Sequence, residues 1–251
     1  MMTDRKPPFQ VLVFSKTSGY RHDCIPAAVS AIRALGARTG LFTVDASEDA
    51  SAAIAPRSLA TYSTVVFLHC TGVFLESDQV AALRGYVQSG GGFVGVHAAA
   101  SGLRTDEWYG KLVGVHFDAH PPPEDGCCVV EDPEHFIMRH DRGKAPPPAA
   151  GEVRKQWVDE WYNFMSHPRD NKNLHILVRG DPKSYQGGAM GDDHPLAWCQ
   201  EFDGGRSFYT ALGHYDEAYG DEWFMDQILK AIVWTARIEG ASPPLHTSSE
   251  D

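Results

Sequence analysis

The feature that most constrains this chain is a repeated change of period along its first half. Phe9-Gln10-Val11-Leu12-Val13-Phe14 is a short apolar run of the kind that forms a buried parallel strand. After a polar loop, Ile25, Val29 and Ile32 recur at helical spacing. Asp23 is placed to cap that helix, Pro26 to fit its first turn and Gly36 to end it. Residues 39–44 and 64–68 read as the second and third strands. Ser77 then opens a helix with Val80, Leu83 and Val87 on one face, and Gly90-Gly91-Gly92 breaks it. Phe93-Val94-Gly95-Val96 follows as a fourth strand. Strands and helices alternating at this interval specify βαβ units. The expected fold is therefore α/β: a doubly wound, mostly parallel sheet with helices on both faces.

The second half is less regular. Residues 116–151 hold two triple-proline runs, at 121–123 and 146–148, which predicts an insertion with a surface loop over 139–151. Residues 174–178 read as a strand. Residues 196–202 and 206–211 read as two more, joined by a tight turn at Asp203-Gly204-Gly205. A helix over 221–237 carries Phe224, Ile228, Ala231 and Ile232 along one stripe. One domain over 9–238, between flexible tails at 1–8 and 239–251, accounts for this pattern.

Charge and cysteine usage narrow the function classes. A net charge of −11 repels phosphate backbones and anionic lipid, so neither nucleic acid nor a membrane is an expected partner. No apolar run reaches the roughly 18 residues of a spanning helix, and the N-terminus lacks the apolar core of a signal peptide. The 5 cysteines form no C-x-x-C pair, which fits a reducing, cytoplasmic setting rather than a disulfide framework.

In an open parallel sheet, ligands bind beyond the carboxyl ends of the strands. The first strand leads into Ser15-Lys16-Thr17-Ser18-Gly19-Tyr20-Arg21-His22-Asp23, the third into His69-Cys70 and the fourth into His97-Ala98-Ala99. Each exit carries a histidine. Gly95-Val96-His97-Ala98-Ala99 has the form of a nucleophile elbow, with small residues around a central position on a strand–turn–helix. Histidine in that position suits proton transfer, carbonyl polarisation or metal binding rather than acyl-enzyme chemistry. Cys24 opens the first helix, where a thiolate would be stabilised, and Cys70 adjoins His69, but neither sits at an elbow. The first loop lacks both glycine-rich phosphate signatures.

These blocks carry a resemblance. The loop Phe14–Asp23, the run from Gly90 to Ala99, the segment Asp159-Glu160-Trp161-Tyr162-Asn163-Phe164, His194-Pro195 and Ala211-Leu212-Gly213-His214 resemble the ThuA-like (trehalose utilisation) family, in order from Phe9 to Arg237. The resemblance implies a class I glutamine amidotransferase-like, flavodoxin-type fold in which the amidotransferase cysteine is replaced. It also implies sugar metabolism, with keto-sugars or keto-glycosides as substrates, and a homodimer.

The expected function is thus a carbohydrate enzyme in which His97 and Glu160 share proton transfer beside a carbonyl. Lys16, Thr17, His22, His120, Trp161, His194 and His214 would bind the small-molecule carbohydrate. Carboxylates beside aromatic rings suit sugars, which present both hydroxyls and an apolar C–H face. Asp159 competes with Glu160 for that role. His116 and His120 would share one face if they lay on a helix, but the prolines at 121–123 argue against a helix and a metal pair there. No cofactor is assigned and no residue is named a metal ligand, with a divalent metal left open. Two other readings stand beside the first: a non-catalytic sugar- or metabolite-binding module, and a metal-dependent hydrolase or lyase using several rim histidines.

Overall fold

The computed structural model describes residues 8–139 and 153–240. Most of the expected 139–151 loop and most of each expected tail lie outside the described residues. In chain order the elements begin with β1 (Phe9–Phe14), α1 (Ile25–Thr39), β2 (Phe42–Ser47), the short α2 (Ala50–Ala53) and α3 (Pro56–Leu59), and β3 (Thr64–Leu68). They continue with α4 (Ser77–Gln88), β4 (Gly92–Val96), α5 (Glu107–Val113), β5 (Phe117–Ala119) and β6 (Glu124–Val130). After β7 (Val153–Asp159) come β8 (Asn163–Phe164), β9 (His175–Gly180), β10 (His194–Phe202), β11 (Gly205–Thr210) and α6 (Glu222–Thr235).

Among the described residues, 9 strands form one sheet in the order β2-β1-β3-β4-β11-β10-β9-β6-β7. The strands β2, β1, β3, β4 and β11 run parallel in flavodoxin-like order, and β10, β9, β6 and β7 extend them antiparallel. Residues 124–130, expected within an insertion, instead enter the main sheet as β6. The apolar strands β3 and β4 are buried throughout, as central strands covered on both faces must be. Asp203 and Gly204, with φ of 50° and 96°, make the hairpin turn between β10 and β11.

Helix ends differ locally from the sequence reading. Cys24, not Asp23, is the residue before α1, and Glu76, not Ser77, caps α4 through a reciprocal box with Gln79. α1 passes through Gly36 and ends at Gly40, whose φ is 64°, so β2 starts at Phe42 instead of residue 39. Gly36 is inside the helix because Phe42 packs onto it: an added Cβ would lie 2.5 Å from the Phe42 carbonyl oxygen. In a free helix, glycine to alanine gains about 1 kcal/mol. Here the backbone clash reverses the sign, and Gly36→Ala should destabilise the protein by about 1–3 kcal/mol in chemical denaturation. A stabilised variant would contradict this packing.

Candidate active site

The exits of β1, β3, β4 and β11 each deliver a histidine to one end of the sheet: His22, His69, His97 and His214. His69 and His97, immediately after β3 and β4, both take left-handed backbone, with φ of 53° and 52°. That conformation costs a non-glycine residue about 1–2 kcal/mol and is held by surrounding contacts. At His97, Nδ1 lies 2.6 Å from the Ala211 carbonyl oxygen, and the Tyr209 hydroxyl donates to the His97 carbonyl at 2.9 Å. A carbonyl only accepts, so Nδ1 carries a proton and Nε2 faces inward. Gly95 is small because the rings of Phe93 and Tyr209 would lie 3.1 Å from a Cβ there.

Glu160 arrives from the far edge of the sheet, just after β7. Its neighbour Asp159 is wholly buried and tethers this segment to the β11 exit. Asp159 accepts from the backbone N–H of Gly213 at 2.8 Å, from Trp157 Nε1 at 2.8 Å and from the Glu160 N–H at 2.9 Å. Burial pushes the Asp159 carboxyl upward, opposed by His97 and these donors.

Glu160 Oε2 then sits 3.2 Å from both His97 Nε2 and His214 Nδ1, while Oε1 lies 3.4 Å from His120 Nε2. The His22 ring stands 4.9 Å from that of His97 and 5.2 Å from that of His214. One ligand-type atom from each of His22, His97, Glu160 and His214 falls within 4.8 Å of the others.

The electrostatics follow from this packing. Burial opposes ionisation of Glu160, yet His214 and His97 outweigh it and hold the carboxyl well below its ordinary range. Burial lowers His214 too, but Glu160 and Asp159 raise it further, giving a net upward shift. His22 is pushed down to about 3, first by burial and then by His97 and His214. The centre therefore holds an ionised carboxylate beside a neutral imidazole. Cys24 and Cys70 are poorly suited to act as nucleophiles: both are buried, and burial pushes the first up to about 12 and the second well above its usual range.

Other residues expected in the site lie elsewhere. Trp161 is buried against Tyr185, with ring centres 4.1 Å apart, and its Nε1 donates to the Glu124 carbonyl. Its neighbour Tyr162 takes the place beside the cluster instead, with its hydroxyl 2.9 Å from His97 Nε2. His194 is fully buried behind Tyr162, so it is a support, away from any open surface. Thr17 pairs through its backbone with Thr71, and neither it nor Lys16 is among the four converging groups. His120, by contrast, borders the site: it is exposed, with its Nε2 3.4 Å from Glu160 Oε1 and its Nδ1 2.8 Å from the Pro121 carbonyl. His116 and His120 flank the strand β5 instead of lying on a helix, and His116 Nδ1 faces the Ala100 carbonyl at 3.3 Å.

His194 carries a prediction of its own. Its Nε2 donates to the Tyr162 carbonyl at 2.7 Å, so Nδ1 is left to accept from the Tyr185 hydroxyl at 2.6 Å. Burial lowers its pKa in the folded state. Its contribution is complete above the unfolded value of about 6.5 and is lost as pH falls toward the folded value. Melting temperature should therefore drop between pH 7 and pH 5, and should drop less in His194→Gln. Equal slopes would contradict the assigned neutral state.

A flavodoxin-like sheet with an elbow histidine, and with imidazoles and a carboxylate gathered at its strand ends, defines a class I glutamine amidotransferase-like protein whose elbow carries no thiol. The chain belongs to the trehalose utilisation (ThuA) family, whose pattern matches residues 10–235. A ThuA-like protein from Bacteroides uniformis is 24% identical, with a TM-score of 0.72 over 93% of this chain and 94% of that one. Another from Parabacteroides merdae is 18% identical, with a TM-score of 0.70 over 91% and 90%. A cytoplasmic protein of Salmonella typhimurium is 11% identical, with a TM-score of 0.59 over 90% and 98%. No curated protein matches the sequence. The family indicates a carbohydrate-related role. No helix among the described residues is long and apolar enough to cross a membrane.

Proposed function

We propose that the protein is a cytoplasmic enzyme of carbohydrate metabolism that acts at the carbonyl group of a keto-sugar or keto-glycoside. The observation that carries this reading is an ionised carboxylate among imidazoles, with exposed tyrosines standing beside them. Tyr20 is 66% exposed and stands edge-on to His22, with ring centres 4.9 Å apart. Tyr215 is 37% exposed and stands edge-on to His214 at 4.5 Å. Such rings offer apolar plates to the C–H face of a sugar, while the carboxylate and imidazoles pair with its oxygens.

The roles divide by access and charge. Glu160 is held too acidic to be an effective general base, so it orients the surrounding imidazoles and binds a hydroxyl. His97 has no exposed surface and acts through Glu160 as a positioning residue. His120, exposed and close to Glu160 Oε1, is the side chain placed to exchange a proton with the bound carbonyl or its neighbouring carbon.

A thermal-shift screen of sugars and keto-sugars, followed by product analysis by NMR, tests this reading. A keto-sugar at 100 times its Kd should add about 2.7 kcal/mol of stability and should be converted. Stabilisation with no product would favour a binding module and contradict the enzyme reading.

A further inference from the structure

We infer that His22, His97, Glu160 and His214 together hold one divalent transition-metal cation. The inference deepens the reading of this centre as the reaction site, because the cation would be the group that polarises a substrate carbonyl. It begins from the direction in which lone pairs point. With Nδ1 of His97 donating to Ala211, Nε2 presents its lone pair toward Glu160 Oε2 at 3.2 Å. The ionised carboxylate is itself only an acceptor. Nδ1 of His214 lies at the same distance from that oxygen without hydrogen-bond geometry, and it is buried and unsatisfied. Nδ1 of His22 is likewise buried without a partner, on a residue 5% exposed. The site thus gathers one carboxylate and three imidazole nitrogens, two of them, on His22 and His214, without a hydrogen-bond partner. A cation among them would satisfy all four once it displaces the proton that Glu160 favours on His214.

Spacing and surroundings fit the same conclusion. A cation about 2.1 Å from each of four tetrahedral donors sets those donors about 3.4 Å apart. The 3.2 Å separations at Glu160 approach that value, and the 4.8 Å limit leaves a small closure for the remaining pairs. Ligating histidines commonly donate their second nitrogen to a backbone carbonyl or carboxylate, which fixes the tautomer. His97 does so to Ala211, with buried Asp159 Oδ1 3.9 Å from the same nitrogen. Three imidazoles and one carboxylate suit zinc and its first-row neighbours better than magnesium or calcium, which take oxygen ligands. The Tyr162 hydroxyl donates to His97 Nε2 at 2.9 Å and gives way when the cation enters.

The test uses the full chain, purified without an affinity tag or chelator, then stripped with EDTA and titrated separately with Zn2+ and Co2+. Elemental analysis should find one cation per chain. Co2+ should give visible d–d bands, and Zn2+ should raise the melting temperature. His22→Ala and His214→Ala should each weaken binding at least tenfold, whereas Tyr162→Phe and the distant His135→Ala should retain one equivalent. Circular dichroism confirms that each variant is folded, and either histidine variant suffices if the other is not. Stoichiometry far below one, or unchanged affinity in a folded His22→Ala or His214→Ala protein, would overturn the site. Sugar conversion surviving complete metal removal would overturn its part in the chemistry and leave the enzyme reading intact. One bound cation without sugar conversion would support the site and overturn the enzyme reading instead.

Discussion

Replacing Glu160 by glutamine should lower kcat/KM for the keto-sugar by about 10³-fold while leaving the fold intact. Glutamine preserves the length and planarity of the side chain but removes the charge around which His97, His214 and His120 are arranged. The loss has two parts. Imidazoles oriented by an ionic partner lose their alignment, and a substrate oxygen meets an amide where a carboxylate stood. The effect should appear in kcat more than in KM, because Tyr20 and Tyr215 still bind the sugar ring. His214 supplies an internal check by NMR titration. With Glu160 neutral, burial is opposed by one carboxylate fewer, so the His214 pKa should fall from its raised position. Turnover within tenfold of wild type in a folded Glu160→Gln protein would remove Glu160 from the reaction centre.

Asp159→Ala should have the largest effect on stability, about 3–5 kcal/mol, because it strands several buried donors at once. The carboxylate accepts from the N–H groups of Gly213 and Glu160 and from the Trp157 indole, and no water reaches it. It also ties the end of β7 to the exit of β11, two places separated by β10, β9 and β6 in the sheet. A change of that size corresponds to a fall of about 10 °C in melting temperature for a chain of this length. Asp159→Asn keeps one accepting oxygen and should lose less. Urea unfolding of both variants measures the difference. A loss below about 1 kcal/mol in Asp159→Ala would show that the tether contributes little.

The parts of the site that follow buried parallel strands were readable from composition and order alone. His22, His97 and His214 each come shortly after an apolar strand, and such strands must end on one rim of the sheet. The elbow at His97 was readable from its small neighbours, and its positive φ is the structural counterpart. The β7 segment was less transparent. In the connection from β7 to β8, Glu160 and Tyr162 both reach His97 while Trp161 turns to Tyr185. The sequence reading placed Trp161 in the site, and only the packing of this connection shows Tyr162 there instead.

Long-range packing was not available there. Gly36 looks like a helix end until Phe42 is seen against it, and misplacing that end shifts β2 by three residues. His69, an expected strand-exit histidine, serves in a buried pair with Tyr219 at 2.7 Å. The full enclosure of His97 likewise depends on Ala211 and on the Glu160–Tyr162 segment, which arrive from two separate stretches of chain.

The most direct measurement is a crystal structure of the Glu160→Gln variant soaked with the keto-sugar that the wild-type protein converts. The sugar ring should lie against Tyr20 or Tyr215, with its carbonyl within hydrogen-bond reach of His120 and residue 160. A sugar seated instead in the 410 Å³ groove lined by Val73, Arg84 and Leu103, with the histidine centre untouched, would contradict the account.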